Sequence, residues 1–232
     1  MIKSVVFDLD DTLYDFTSAH AVALHRMADY AWSTLEIPRE RFDALQRVAF
    51  QRQKALVGET AALHNRLIRC QMMLEAAGKS VFHAPDMANL YWNALLERIR
   101  PLPGTNEALG RLRSLGLTVG LGSNMTADWQ FAKLKRLGLM AYLDFIVTSE
   151  EAGADKPDPR LFRLCAEKAG CAPGECVFVG DSLERDALGA QRAGMIPVWL
   201  RRKGETDAPP EGVRVIRDLR ELPRALEESV ES

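Results

Sequence analysis

The sequence predicts an α/β protein in which an all-helical cap domain is inserted into a doubly wound parallel sheet after its first strand. The chain opens with a short β-branched segment, Ser4-Val5-Val6-Phe7, that stops at an acidic cluster. Residues 17–100 then repeat apolar side chains at helical spacing, and beyond residue 101 short apolar segments alternate with helical ones. A continuous apolar run suits a strand buried on both faces, and the alternation is typical of a parallel sheet with helices on both sides.

The inserted segment is predicted to contain four helices and no strand. Two apolar stripes at spacings of three and four residues indicate helices: Leu24, Ala28, Ala31 and Leu35, and then Leu63, Leu67, Cys70, Leu74 and Ala77. Thr60 is the expected N-cap of the second stripe, and Gly78 is its expected end. Pro38 can open a further helix, and the last helix is predicted over residues 86–99.

The run Pro101-Leu102-Pro103-Gly104 breaks the last of these helices and marks a boundary. We therefore predict an α/β core made of residues 1–16 and 101–232, and a cap made of residues 17–100. The later strands are predicted over residues 117–121, 144–148, 176–179, 196–200 and 213–216. Helices are predicted around residues 109–115, 128–137, 159–169, 183–193 and 219–228.

Composition excludes several classes of protein. The chain has 232 residues and a net charge of −2, which gives no general attraction to nucleic acid or to a membrane surface. No stretch approaches the ~20 apolar residues that a membrane helix needs. The four cysteines form no C-x-x-C pair, which favours reduced thiols in a cytoplasmic protein. The apolar stripes of the cap leave open whether the protein is a monomer or a homodimer.

Four short segments of polar residues follow strongly apolar segments, at positions where predicted strands end and loops begin. They are Asp8-Leu9-Asp10-Asp11-Thr12, Gly122-Ser123-Asn124, Asp155-Lys156-Pro157-Asp158-Pro159 and Gly180-Asp181-Ser182-Leu183-Glu184-Arg185-Asp186. Open α/β sheets bind their ligands beyond the C-terminal ends of the strands. We therefore expect the four sets to form one site.

The carboxylates of this site predict a metal. Asp8, Asp10, Asp181 and Asp186 would repel one another, and such a cluster is tolerated only when a cation is present. Oxygen ligands without His or Cys indicate Mg²⁺ rather than zinc.

The remaining polar groups predict a phosphoryl site. Lys156 adds fixed positive charge, Ser123 adds a hydroxyl donor, and Asn124 offers a backbone N–H near a helix start. Taken alone, the first set is explained as well by a helix N-cap or a turn as by function, and the other three are better explained as an N-cap, a surface loop and a turn. The four sets together, in this order and at strand ends, favour a functional site.

The four sets resemble the motifs of the haloacid dehalogenase superfamily of phosphohydrolases, over nearly the whole chain. Asp8-Leu9-Asp10-Asp11-Thr12 resembles a first motif in which two Asp flank one residue and a Thr follows. Ser123 and Lys156 match the second and third motifs, and Gly180-Asp181 through Asp186 matches the fourth. The first and third regions are similar to nucleotidase-like small-molecule phosphatases. The resemblance implies a Rossmann-like core, a helical cap and a small phosphorylated substrate.

The resemblance also implies a mechanism. Asp8 would attack phosphorus and form an aspartyl-phosphate. Asp10 would protonate the leaving alcohol and then activate the water that hydrolyses the intermediate. Mg²⁺ would be held by the side chains of Asp8 and Asp181 and by the main-chain carbonyl of Asp10.

The resemblance implies that other motif residues bind the substrate or orient the catalytic groups. Phosphate and substrate binding is expected from Thr12, Ser123, the backbone of Asn124, and Lys156. Asp186 would orient Lys156 or a metal-bound water, with Ser182 as a further supporting residue. Many relatives have Asn where this chain has Arg185. This departure weakens the role that the resemblance implies for Asp186, but not the role of Asp181.

The cap offers no assignable specificity residue. His20 lies at the base of the first cap helix, where a hinge or helix-surface position is favoured over contact with substrate. Arg66 and Arg69 are expected on solvated faces.

Other functions stay open beside a phosphatase. Sugar-phosphate mutases share the chemistry, but relatives of that kind usually lack Thr at the position of Thr12. In a 2-haloacid dehalogenase Asp8 would attack carbon, and such enzymes lack an acid at the position of Asp10. A phosphoryl-receiving signalling domain also clusters acids, but it is too compact for the long insertion. An inactive binding scaffold does not explain the complete set of motif residues.

Overall fold

The computed structural model describes residues 1–201 and 208–227, without the side chain of Glu227. The chain divides into two compact units, an α/β unit of Met1–Asp15 with Arg100–Ser232 and a helical unit of Phe16–Ile99. Each boundary lies one residue from the position given by the sequence.

The α/β unit contains a six-stranded sheet whose strands all pair in parallel, in the order β3-β2-β1-β4-β5-β6. The strands are β1 (Ser4–Phe7), β2 (Thr118–Ser123), β3 (Phe145–Thr148), β4 (Cys176–Gly180), β5 (Ile196–Leu200) and β6 (Arg214–Ile216). This order is that of a doubly wound sheet, and the predicted fold class is confirmed.

The first strand is the centre of the sheet. Val5 pairs with Val119 of β2 on one side and with Val177 of β4 on the other. All four residues of β1 are buried, as its apolar, β-branched sequence predicts. The backbone N–H of Asp8 donates to the carbonyl of Val179 at 2.8 Å. The pairing with β4 therefore continues one residue past the strand and holds Asp8 at the C-terminal end of β1.

The helical unit contains four α-helices and no strand. They are α1 (Phe16–Leu35), α2 (Arg39–Val57), α3 (Arg66–Ala77) and α4 (Ala84–Arg98). The predicted roles of Pro38 and Gly78 are confirmed, because Pro38 precedes α2 and Gly78 ends α3 with a left-handed backbone at φ 68°.

The start of α3 was predicted wrongly. Residues Ala61–His64 form a separate 3₁₀ turn, and Asn65, rather than Thr60, caps the α-helix by accepting the N–H of Ile68 at 3.1 Å. The interruption changes which side chains face the interior. Leu67, a member of the predicted apolar stripe, is 45% exposed.

Helices flank both faces of the sheet in the α/β unit. They are α5 (Thr105–Ser114), α6 (Ala127–Leu137), α7 (Ser149–Ala152), α8 (Pro159–Ala169), α9 (Gly189–Arg192) and α10 (Leu222–Glu227). A π-helical segment, Leu183–Leu188, leads into α9, and residue 228 of the predicted last helix lies outside the described residues. No helix in the described parts of either unit is both long and apolar enough to span a bilayer.

Candidate active site

The ends of three neighbouring strands bring Asp8, Ser123 and Asp181 to one edge of the sheet. Ser123 is the last residue of β2, and Asp8 and Asp181 directly follow β1 and β4. These three strands lie side by side with β1 in the middle. The Ser123 hydroxyl donates to Asp8 Oδ1 at 3.1 Å. Strand register therefore places the first, second and fourth polar sets together, as predicted from the alternation of strands and helices.

Lys156 is buried at the centre of this edge. Its ammonium donates to Asp8 Oδ1 at 2.7 Å and to the Gly122 carbonyl at 2.9 Å, and it lies 2.8 Å from Asp186 Oδ1. Burial alone would lower the pKa of Lys156, but Asp186 and Asp8 outweigh it and hold that pKa above its ordinary value. The lysine is therefore a permanent cation.

Asn124 fixes the backbone that carries Lys156. Its side-chain oxygen accepts the N–H of Lys156 at 2.7 Å, and its side-chain nitrogen donates to the carbonyl of Lys156 at 3.1 Å. These two hydrogen bonds join the loop after β2 to the loop before α8. The predicted contact of the Asn124 backbone with phosphate stays a prediction.

Asp186 is held between the lysine and the loop after β4. Its Oδ2 accepts the N–H of Ser182 at 2.9 Å. Burial raises the pKa of Asp186 above its ordinary value against the opposing effect of Lys156, and the charge of Asp8 adds to the rise. Gly180 permits this packing, because a Cβ at that position would lie 2.3 Å from the Asp186 carboxyl group.

Ser182 and Thr12 act on the backbone around these acids. The Ser182 hydroxyl accepts the N–H of Arg185 at 3.3 Å and so caps the following helical segment. Thr12 is fully buried, and its hydroxyl accepts the N–H of Asp181 at 3.1 Å. This last contact links the first and fourth polar sets, while the predicted contact of Thr12 with substrate stays a prediction.

Asp10 lies in a second cluster that the sequence did not predict. Lys133 donates to both of its carboxylate oxygens at 2.8 Å, and the Tyr14 hydroxyl donates to Oδ1 at 2.7 Å. Lys133 is fully buried on α6. The structure therefore supplies Asp10 with two partners of its own.

The missed lysine has a signal in the sequence. The buried face of α6 consists of Gln130, Lys133, Leu134 and Leu137, which are spaced as one helical stripe. Two polar residues on such a stripe are unusual unless they have a buried partner. Gln130 has one as well, because its amide nitrogen donates to the Ser123 hydroxyl at 2.6 Å.

Three of the carboxylates fit a divalent cation. One oxygen from each of Asp8, Asp181 and Asp186 lies within 4.8 Å of the other two. The donors are all oxygen atoms, which suits Mg²⁺. Lys156 supplies one positive charge against three acids, so the set has room for a further cation.

The arginines of the helical unit contradict their expected position. Arg66 is 8% exposed and Arg69 is 9% exposed, so both lie on the buried face of α3. Arg66 lies one helical turn before Cys70, and Arg69 lies one turn before Met73, so both share the face of the buried apolar residues. His20 is half-buried in the same unit, with its Nδ1 2.6 Å from the Tyr91 hydroxyl.

Comparison with known proteins agrees with this fold. The sequence profile described as haloacid dehalogenase-like hydrolase matches residues 2–194. A ribulose-1,5-bisphosphate 5-phosphatase of Halopiger xanaduensis is 34% identical over 214 residues, which cover 90% of this chain and 88% of the relative. A pyrimidine 5′-nucleotidase of Escherichia coli is 29% identical over 226 residues, which cover 94% of this chain and 96% of the relative.

Solved structures share the architecture. A 2-haloacid dehalogenase from Pseudomonas syringae matches with a TM-score of 0.78 and 29% identity, over 99% of this chain and 100% of its own. The profile spans most of the chain, and the relative that is 34% identical is a phosphatase by name. The chain belongs to the haloacid dehalogenase-like hydrolase family, on its phosphatase branch.

Proposed function

We propose that this phosphatase is a Mg²⁺-dependent phosphomonoester hydrolase that works through an aspartyl-phosphate on Asp8. Its substrate is a small phosphorylated metabolite, and the names of the relatives favour a sugar phosphate or a nucleotide. One observation carries the proposal. Asp8 is held through Oδ1 by Lys156 and Ser123, next to two further carboxylates suited to a divalent cation.

Asp8 Oδ2 is the attacking atom in this proposal. Among the described residues both hydrogen bonds to the carboxylate fall on Oδ1, which fixes the rotamer. A bond forms between Oδ2 and phosphorus while the bond from phosphorus to the leaving alcohol breaks. Lys156, Ser123 and the Asn124 backbone hold the phosphoryl oxygens and stabilise the negative charge that spreads over them.

Asp10 moves the proton. It gives a proton to the leaving alcohol oxygen in the first step, and in the second it accepts a proton from the water that attacks phosphorus. The second step releases phosphate and restores Asp8. Lys133 and Tyr14 position the Asp10 carboxylate by three hydrogen bonds from two side chains.

Mg²⁺ would be held by the side chains of Asp8 and Asp181 and by the main-chain carbonyl of Asp10. A bound Mg²⁺ supplies Lewis-acid stabilisation of the phosphoryl group and offsets its repulsion from Asp8. Asp186, Ser182 and Thr12 are positioning residues: Asp186 contacts Lys156, Ser182 contacts Asp186, and Thr12 holds the Asp181 backbone.

We propose that the protein is cytoplasmic, in keeping with four cysteines that form no C-x-x-C pair. We propose that the helical unit selects the substrate. A measurement of the molecular mass in solution will decide whether the protein is a monomer or a homodimer.

The decisive experiment is phosphate release from a panel of sugar phosphates, nucleoside monophosphates and phosphoglycolate, with Mg²⁺ and with EDTA. We expect metal-dependent release and a ranking that identifies the substrate class. In the Asp8→Asn variant release should fall by at least about a thousandfold, because the nucleophile is lost. A circular dichroism spectrum should show that this variant folds.

Other outcomes point to the other functions. Isomerisation of a hexose phosphate with little free phosphate would indicate a mutase, and halide release from 2-chloropropionate without metal would indicate a dehalogenase. A long-lived phosphorylated Asp8 without turnover would indicate a phosphoryl-receiving domain. Parent-like phosphatase activity in folded Asp8→Asn would refute the nucleophile.

A further inference from the structure

A glutamine of the α/β unit is fully buried close to Asp8. Gln130 lies on α6 and is 0% exposed. Its amide nitrogen donates to the Ser123 hydroxyl at 2.6 Å, and that hydroxyl donates to Asp8 Oδ1 at 3.1 Å. The two hydrogen bonds form a chain that runs from α6, through the last residue of β2, to the carboxylate of Asp8.

Only one end of the Gln130 amide is satisfied among the described residues. Its Oε1 is buried without a hydrogen-bond partner there. A buried amide oxygen without a partner is costly, and an apolar side chain of similar size would avoid that cost. Packing alone therefore does not explain a glutamine at this position, and the hydrogen bond to Ser123 is the interaction that distinguishes it from an apolar residue.

The hydrogen bond from Gln130 sets the direction of the Ser123 proton. A hydroxyl group has one proton and two acceptor lone pairs. Because the amide N–H occupies a lone pair on the side of α6, the proton is left for the opposite side, where Asp8 Oδ1 lies. A hydroxyl that accepts a hydrogen bond is also polarised into a stronger donor.

The direction of this proton matters when a phosphoryl group is present. Ser123 can stabilise a phosphoryl oxygen only as a donor, since a lone pair turned toward that oxygen would repel it. Lys156 donates to Asp8 Oδ1 at 2.7 Å, so the carboxylate keeps one donor when the Ser123 proton moves to the phosphoryl group.

We propose that Gln130 is a positioning residue that directs the Ser123 hydroxyl proton toward the reacting phosphoryl group. This role rests on the proposed function, because it belongs to the same site. It differs from the roles of Lys133 and Lys156, which contact carboxylates directly, since Gln130 acts through a neutral hydroxyl.

The test is a double-mutant cycle between Gln130→Met and Ser123→Ala, with kcat/KM measured on p-nitrophenyl phosphate. We expect Gln130→Met to lower kcat/KM by about tenfold in the parent and by less than about twofold in the Ser123→Ala background, because its effect passes through that hydroxyl. Equal losses in both backgrounds would show a merely structural role and overturn the proposal. Gln191→Met replaces an exposed glutamine of the same unit and should keep the parent value.

The second measurement needs no turnover and follows the binding of inorganic phosphate to the full chain, with Mg²⁺ present, by isothermal titration calorimetry. The Kd should rise by about threefold to tenfold in Gln130→Met, and it should be the same in Ser123→Ala with and without Gln130→Met. Phosphate binding that is equal in the parent and in Gln130→Met refutes the role of Gln130 alone. A parent that neither binds nor releases phosphate refutes the proposed function, and this role with it.

Gln130→Lys tests the direction of the hydrogen bond, because a lysine ammonium donates and offers no acceptor. Its kcat/KM should recover to within about threefold of the parent, and its advantage over Gln130→Met should disappear in the Ser123→Ala background. No recovery would indicate that Ser123 donates to the amide oxygen, which overturns the proposal. If Gln130→Met does not fold, Gln130→Asn, whose amide is one carbon shorter, takes its place in the cycle under the same criteria.

Discussion

Two buried lysines of the α/β unit contact carboxylates in different ways. Lys156 lies between Asp8, which follows β1, and Asp186, which lies in the π-helical segment after β4, and it also donates to a backbone carbonyl. Lys133 is directed at Asp10, and it donates to both oxygens of that carboxylate. One lysine is shared among groups, and the other is dedicated to a single side chain.

The difference separates two tasks. A shared cation lowers the repulsion between acids that must stand close together, so Lys156 serves both the stability of the cluster and the charge of the phosphoryl group. A dedicated cation fixes the direction of one carboxylate, so Lys133 serves the geometry of proton transfer. Removing them should therefore change different measured quantities.

The largest effect is expected for Lys156→Met, which keeps the volume and removes the charge. Two buried carboxylates then face each other without an ammonium, and the free energy of unfolding should fall by about 3–5 kcal/mol in EDTA. Added Mg²⁺ should recover part of this loss, because it binds the folded state. Urea unfolding with and without Mg²⁺ measures both.

The activity of this variant should fall as well, by at least about a hundredfold in kcat/KM. Lys135→Met, an exposed lysine on α6, is the control and should match the parent in both assays. A variant as stable as the parent in EDTA would show that Asp8 and Asp186 do not need Lys156 as their shared cation.

A smaller effect is expected for Lys133→Met. The Asp10 carboxylate keeps Tyr14 but loses two hydrogen bonds, so kcat should fall by about a hundredfold while KM changes by less than about threefold. Steady-state kinetics with the preferred phosphomonoester give both values.

Lys133→Arg should restore part of kcat, because it keeps a buried cation on α6. An equal loss in Lys133→Met and Lys135→Met, or a change confined to KM, would contradict a positioning role for Lys133.

The smallest effect is expected for Asn124→Ala, which keeps the backbone N–H assigned to phosphate. It removes the two hydrogen bonds to the backbone of Lys156, so kcat/KM should fall by about tenfold through misplacement of the ammonium. A fall in kcat/KM as large as that of Lys156→Met would contradict this prediction, because Asn124 would then do more than position the lysine.

The limits of prediction are clearest at α3 and α6. Helical periodicity located both helices, yet it placed Leu67 on the buried face of α3 and Arg66 outside it. The error came from the 3₁₀ turn of Ala61–His64, whose apolar residues continue the spacing while its backbone does not. On α6 the boundaries were nearly right, but no local pattern gave Lys133 a partner more than a hundred residues away.

The sequence by itself determined the parallel α/β core, the helical insertion and the strand-end polar sets, because apolar periodicity and strand alternation are local properties of the chain. Tertiary structure decided which charges meet. Lys156 lies between Asp8 and Asp186, Lys133 contacts Asp10, and Arg66 is buried without an ion pair among the described residues. Such contacts depend on sheet order and on the rotation of each helix about its axis, and neither is fixed by residues that are neighbours in sequence.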